Sequence, residues 1–236
     1  VLKGFSPEGI RHDMTFRVEQ LGTFLADLDA RGVSEVCFAG SIRRQPFDQT
    51  LVDAATAPLV PRMYQALQTG DDAALRTVLD FFEEAGFTIR AAHEIAPDLL
   101  PPPGVPTEVS PSDAARQDAA RAAMVATALG SADVGQACVV HNGQALAVEA
   151  SFGTDWMLGS LRGRPDGTGG ICYKAPKPNQ DRHIDLPTIG PATVQAAASA
   201  GLDGIVIEAY GVMVLDRAAT LAAADERGLF HWVREP

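Results

Sequence analysis

Six prolines crowd one short stretch of this chain, at Pro97, Pro101, Pro102, Pro103, Pro106 and Pro111. Proline lacks a backbone N–H, fixes φ and pushes the preceding residue out of the helical region. Residues 97–111 therefore suit an extended linker and no helix. With 236 residues available, the chain is long enough for two cores, one on each side of this seam. The expected domains are 1–104 and 105–236.

Both halves alternate helical and extended patterns. Leu21, Phe24, Leu25 and Leu28 recur at helix spacing, and Gly32 supplies a stop. Val33–Ala39 reads as a strand, 59–67 as a helix, and Gly70-Asp71-Asp72 opens another helix that Gly86 closes. Phe87–Ala92 returns as a strand. Strand–helix–strand order predicts a mostly parallel sheet with flanking helices, here a Rossmann-like α/β domain. The second half begins with an Ala-rich helix over 113–129. Asn142-Gly143 between two apolar runs marks a hairpin. Thr154 is expected to cap a short helix running through Leu158, with Met157, Leu158 and Trp156 in the core. Strands are expected at 171–175, 204–209 and 229–233. Helices are expected at 191–200 and after an Asp216 cap, which makes this half a mixed α/β domain.

The formal charge of −11 repels nucleic-acid phosphates, and no basic stripe offsets it, so no nucleic-acid partner is expected. An acidic protein acting on an anion needs a local cluster of Lys and Arg, a divalent cation, or both. No apolar run approaches the ~20 residues of a membrane span, and no leader pattern is present. Cys37, Cys138 and Cys172 sit among apolar neighbours without a Cys-x-x-Cys pair. They read as buried free thiols, which suits a reducing, cytoplasmic setting.

The densest polar stretch runs from Lys174 through Lys177, Gln180, Asp181, Arg182, His183 and Asp185 to Thr188. It follows a predicted strand and precedes a predicted helix, where ligands of open α/β sheets gather. Its lysines and arginine could neutralise a pyrophosphate, and Asp181 and Asp185 offer hard oxygen ligands for Mg²⁺ or Mn²⁺. Pro176, Pro178 and Pro187 stiffen it. A solvated loop held by surface ion pairs is the competing reading.

Elsewhere the signals are weaker. Asp155 in a first helical turn is commonly just a favourable dipole partner. Arg43 and Arg44 leave the end of a strand and could grip phosphate bidentately or form a solvated turn. Asp71 and Asp72 serve equally as a helix-start signal. Glu149, at the end of a hairpin strand, reads equally as structural or catalytic. There is no Gly-x-x-x-x-Gly-Lys-Ser/Thr loop, Gly-x-Gly-x-x-Gly turn, Gly-x-Ser-x-Gly elbow or His-Glu-x-x-His pair.

Short motifs then accumulate in order. Ala39-Gly40 with Arg43-Arg44, Gly70-Asp71-Asp72-Ala73 and Asp133-Val134-Gly135-Gln136 come first. Ala147-Val148-Glu149-Ala150, Gly153-Thr154-Asp155, Lys174, Lys177-Pro178 and Asp185-Leu186-Pro187-Thr188-Ile189-Gly190 follow. Ala200-Gly201-Leu202, Ala224-Asp225 and Gly228-Leu229-Phe230 complete the series. Together they resemble the UDP-2,3-diacylglucosamine pyrophosphatase family of the LpxI type, from lipid A biosynthesis.

The resemblance implies hydrolysis of UDP-2,3-diacylglucosamine to UMP and 2,3-diacylglucosamine 1-phosphate with a divalent metal. It also implies two domains holding the lipid product between them, and a homodimer. Asp185 is implied as catalytic with Asp155, and Asp185 and Asp181 are the expected metal ligands. The expected substrate contacts are Thr154, Lys174, Lys177, Gln180, Thr188, Arg43, Arg44 and Asp72. A diacylated substrate suggests peripheral contact with the inner membrane. The chain departs from the family pattern in three places. An opening strand and Gly-rich loop do not precede Val1, so the first βα unit is expected to be missing. Phe152 stands where Glu is common, and His183 stands where Arg is common. The rival reading is a non-catalytic binding protein for a nucleotide-sugar or lipid phosphate.

Overall fold

The computed structural model describes residues 1–4, 9–40, 47–69, 71–178, 180 and 186–236, with the backbone alone for 67, 69 and 71–73. The chain forms two compact units, Val1–Ala91 and Ala92–Pro236. Both mix helices with strands, as the alternating sequence pattern predicts.

In the N-terminal unit, helix α1 (Leu21–Ala30) is followed by strand β1 (Glu35–Val36), helices α2 (Val60–Thr69) and α3 (Asp71–Glu84), and strand β2 (Thr88–Ile89). β1 and β2 pair in parallel, Glu35 with Thr88 and Val36 with Ile89. These strands are shorter than expected at both sites. Apolar side chains of Phe38 and Phe87 pack against the core without joining the two-residue ladder, so burial and strand pairing part company there. α1 and α3 both end as the sequence predicts. Gly32 and Gly86 take positive φ, and the next N–H reaches back to Leu28 and Phe82 respectively.

The C-terminal unit is built on a five-stranded sheet. Its strands are β3 (Ala137–His141), β4 (Gln144–Val148), β5 (Ile171–Lys174), β7 (Gly204–Glu208) and β9 (Phe230–Arg234), in the order β4-β3-β5-β7-β9. β3 runs antiparallel to both β4 and β5, whereas β5, β7 and β9 are parallel. The β3–β4 turn has left-handed φ at both Asn142 and Gly143, the conformation that matches strand twist in a two-residue hairpin. Asp118 secures it by accepting from both turn amides, at 3.0 and 2.7 Å.

Helix α5 (Asp113–Ser131) covers one face through Ala115, Ala119, Ala122 and Ala126, small residues at helical spacing that let it lie close to Cys138, Val140, Tyr173 and Val206. Helices α6 (Gly153–Gly159), α7 (Pro191–Ser199) and α8 (Arg217–Glu226) cover the other, burying Met157, Leu158, Val194 and Ala224 against Val139, Cys172, Ile205 and Ile207. A parallel pair, β6 (Thr188–Ile189) with β8 (Met213–Val214), stands beside this sheet. As expected, Asp216 caps α8, its carboxylate accepting from Ala219 N–H. Burial pushes the Cys138 and Cys172 thiols up to about 12, so both stay protonated; Cys37 is only half-buried.

The proline-rich stretch is not a free linker. A short helix, α4 (Ala92–Ile95), precedes it, and it opens with a 3-10 turn over Pro97–Leu99. Beyond these it lies along β9, the outer strand of the sheet. Gly104 exchanges two backbone hydrogen bonds with Val233, both 2.9 Å, and the Thr107 hydroxyl accepts from His231 N–H at 2.9 Å. The non-proline residues thus satisfy edge groups that the prolines cannot. Among the described residues, no helix is long and apolar enough to cross a membrane.

Candidate active site

The carboxyl end of β5 is where the candidate residues meet. Lys174 is its last residue and pairs with Ala137 of β3, while Ala137 O accepts from Glu149 N–H just beyond β4. Pairing to a common neighbour brings positions 149 and 174 to the same end of the sheet, one on each side of Ala137. α6 then delivers Thr154 from the same side of the sheet.

Lys174 and Glu149 are each 7 % exposed, and Thr154 stands between them. The Lys174 ammonium donates to Thr154 Oγ1 at 2.7 Å and to the carbonyl of Thr188 at 3.2 Å. The Thr154 hydroxyl donates to Glu149 Oε1 at 2.5 Å, and the second carboxylate oxygen accepts from Gln136 N–H at 3.0 Å. A buried cation and a buried anion are thereby joined through one hydroxyl, and both carboxylate oxygens have a donor. This hydrogen bonding is what makes burying the two charges tolerable.

Thr154 does not cap α6 as the sequence suggested. The helix begins at Gly153, Phe152 occupies the cap position without a side-chain bond, and Thr154 falls inside the first turn. Its hydroxyl is then aimed at the strands and not at its own helix. Thr188 meets Lys174 through its backbone carbonyl, and its own hydroxyl donates to Leu186 O. Trp156, expected in the core beside Met157 and Leu158, is 61 % exposed. Three consecutive residues cannot all face inward on a helix. Trp156 instead packs against Phe152, itself 75 % exposed, with ring centroids 5.4 Å apart.

Lys177 belongs to a neighbouring cluster. Its ammonium pairs with Asp133 Oδ1 at 2.6 Å, and its N–H donates to the side-chain oxygen of Gln180. Asp133 has a left-handed φ of 53°, in the position where glycine ends α1, α3, α7 and α8, and Val134 N–H reaches back to Leu129. The loop is seated against the end of α5: a Cβ on Gly130 would lie 2.6 Å from Pro178 Cδ. Asp155 is exposed on the first turn of α6. Asp72 lies in the first turn of α3, and only its backbone is described. Arg43, Arg44, Asp181 and Asp185 lie outside the described residues.

Among the described residues, no three His, Cys, Asp or Glu side chains converge to hold a metal ion. Glu149 already has a hydrogen-bond donor on each oxygen. The described donors therefore do not by themselves make a metal centre.

The N-terminal domain model of the LpxI family matches residues 2–99, and its C-terminal domain model matches residues 102–232. The chain belongs to the LpxI family. It is 44% identical over 220 residues to the UDP-2,3-diacylglucosamine pyrophosphatase LpxI of Caulobacter vibrioides, a match covering 90% of this chain and 79% of that protein. The family resemblance carried by the ordered short motifs thus holds across both units. Sequence reasoning left Glu149 undecided. The LpxI-family fold makes it the buried anchor of the Lys174 cluster. Its only local signal was a carboxylate ending an otherwise apolar strand.

Proposed function

We propose that this LpxI-family chain hydrolyses the pyrophosphate bond of UDP-2,3-diacylglucosamine, releasing UMP and 2,3-diacylglucosamine 1-phosphate. The observation that carries this reading is the buried Lys174 ammonium at the carboxyl end of a parallel strand, in a chain 44% identical to a pyrophosphatase of that specificity. An ammonium has three donors, and two are taken by Thr154 and Thr188. The third would meet a phosphate oxygen.

Water attacks the sugar-side phosphorus, its oxygen forming the new P–O bond as the anhydride P–O bond breaks and UMP departs. A fixed cation in a water-poor setting stabilises the charge that builds on the phosphoryl oxygens. Asp185 would orient the attacking water. A Mg²⁺ or Mn²⁺ requirement, with Asp185 and Asp181 as ligands, is part of the proposal. The exposed Phe152–Trp156 pair beside Thr154 offers apolar surface to acyl chains. Cytoplasmic residence with peripheral contact at the inner membrane fits a soluble head group bearing such chains. A homodimer is also proposed, to be checked by light scattering.

The test is direct. Purified protein is incubated with UDP-2,3-diacylglucosamine and Mg²⁺ or Mn²⁺, then with chelator, while UMP is measured. UMP release that chelation stops, and that Asp185→Ala lowers by orders of magnitude, supports the hydrolase and its metal. Release that persists in chelator removes the metal. Tight binding of the substrate with no UMP formed would instead make the chain a binding protein.

A further inference from the structure

We infer that Glu149 is a positioning residue for Lys174, acting through the hydroxyl of Thr154, and that Thr154 itself donates no hydrogen bond to the substrate. The inference rests on the reading that Lys174 meets a phosphate.

Donors and acceptors at the Thr154 hydroxyl fix where its proton points. An ionised carboxylate only accepts, so the proton in the 2.5 Å contact between Thr154 and Glu149 belongs to Thr154. An ammonium only donates, so the 2.7 Å contact from Lys174 falls on a lone pair of the same hydroxyl. A hydroxyl has one proton, and that of Thr154 is directed at Glu149. Thr154 therefore presents to Lys174 a lone pair of fixed direction, and has no proton left for a phosphate.

The carboxylate is held in turn. Its second oxygen accepts from Gln136 N–H, and Gly135 lies against the Glu149 backbone where no side chain would fit. Lys174 is a flexible four-carbon stem that samples many rotamers unless its end is held. Bonds to Thr154 and to Thr188 O fix two of its N–H directions, and tetrahedral geometry then sets the third. Interposing a hydroxyl also has an electrostatic consequence. A direct Glu149–Lys174 contact would draw the ammonium onto the carboxylate, whereas the bridge orients the cation and leaves one donor for an anion.

The experiment compares the full chain with Thr154→Val, Thr154→Ser, Glu149→Gln and the double variant Thr154→Val/Glu149→Gln. Turnover of UDP-2,3-diacylglucosamine and melting temperature are measured for each. Thr154→Val is nearly isosteric but cannot bridge, and it should lower kcat about 10- to 100-fold with little change in KM. Thr154→Ser should recover most of that loss. Glu149→Gln should resemble Thr154→Val, and the double variant should be no worse than the poorer single one, because both remove one shared linkage.

Losses that multiply in the double variant would show that Glu149 and Thr154 act separately and would overturn the inference. So would Thr154→Ser as poor as Thr154→Val, or wild-type turnover in Glu149→Gln. A second readout does not need turnover: the NMR signal of the Lys174 ammonium. Its two hydrogen bonds should slow proton exchange and keep the signal visible in the wild type and in Thr154→Ser. It should be lost to solvent exchange in Thr154→Val and Glu149→Gln. An ammonium signal unchanged in all variants overturns the linkage. Wild-type protein that shows this signature but releases no UMP overturns the hydrolase reading alone.

Discussion

Gly135 lies so close to Glu149 that a Cβ at position 135 would sit 2.2 Å from the Glu149 carbonyl oxygen and 2.8 Å from its carbonyl carbon. Backbone atoms cannot yield as the tip of a side chain can. Gly135→Ala should therefore destabilise the C-terminal unit by about 1–3 kcal/mol, the usual range for overpacking. Because the displaced residue is Glu149, kcat should fall as well. Urea unfolding and UMP release check the two effects. An unchanged unfolding midpoint would show that a methyl group fits between the two segments without strain.

Asp118 offers a test of the hairpin. Its two carboxylate oxygens accept from Asn142 N–H and Gly143 N–H, and it is buried on α5. Asp118→Ala leaves both amides without this partner and should cost about 1–3 kcal/mol. Amide exchange should quicken first at 142 and 143. If exchange there matches the wild type, the carboxylate is not what holds the turn.

Lys174→Met removes the charge while keeping an apolar stem of similar length. Loss of one preorganised donor to a developing charge commonly costs ~100- to 1,000-fold in kcat, and that is the expected deficit. Lys174→Arg should not restore it, since a planar fork cannot reproduce the tetrahedral bonds to Thr154 and Thr188 O. Steady-state kinetics on the acylated substrate decides the matter. Activity within a few-fold of wild type in Lys174→Met would remove Lys174 from the mechanism.

His231 should make stability sensitive to acid. It is 2 % exposed, and among the described residues neither ring nitrogen has a hydrogen-bond partner. Burial pushes the imidazole down to about 4 from an ordinary 6.5, and the Arg217 charge adds to that. Between those values the unfolded chain binds a proton that the folded chain refuses, so stability rises with pH across the window. The contribution is fully present above pH 6.5 and lost as pH falls toward 4, to the extent of about 3 kcal/mol. His231→Leu should flatten that slope, as measured by urea midpoints at pH 4.5 and 7. Identical slopes in the two proteins would show that another group governs the acid limb.

Much of the fold was readable locally. Gly32 and Gly86 end helices because a left-handed residue lets the following amide reach the last open carbonyl. Asn142-Gly143 makes the hairpin because both positions must take positive φ, and Asp216 caps α8 with its own side chain. Each of these results needs only a few neighbouring residues. Lys174 was also recognisable as a candidate, since it opens the densest polar stretch of the chain where a predicted strand runs toward a predicted helix. The proline-rich stretch misled because prolines do exclude long helices, yet their neighbours remain able to bond to a sheet edge far away in sequence. Thr107 and His231 are separated by 124 positions.

What the sequence determined by itself, then, was the alternation of elements, their caps and turns, and the set of polar residues near the end of β5. Tertiary structure alone decided which of those residues touch. Lys174 meets Thr154 across 20 positions and Thr188 across 14, because β5, α6 and β6 converge there. Glu149 joins them because β3 pairs with both β4 and β5. Local propensity is set by side chains competing with their own backbone, over a few residues. The direction of a hydroxyl proton is set by which charges the packed sheet brings to either side of it, and no short stretch of chain contains that information.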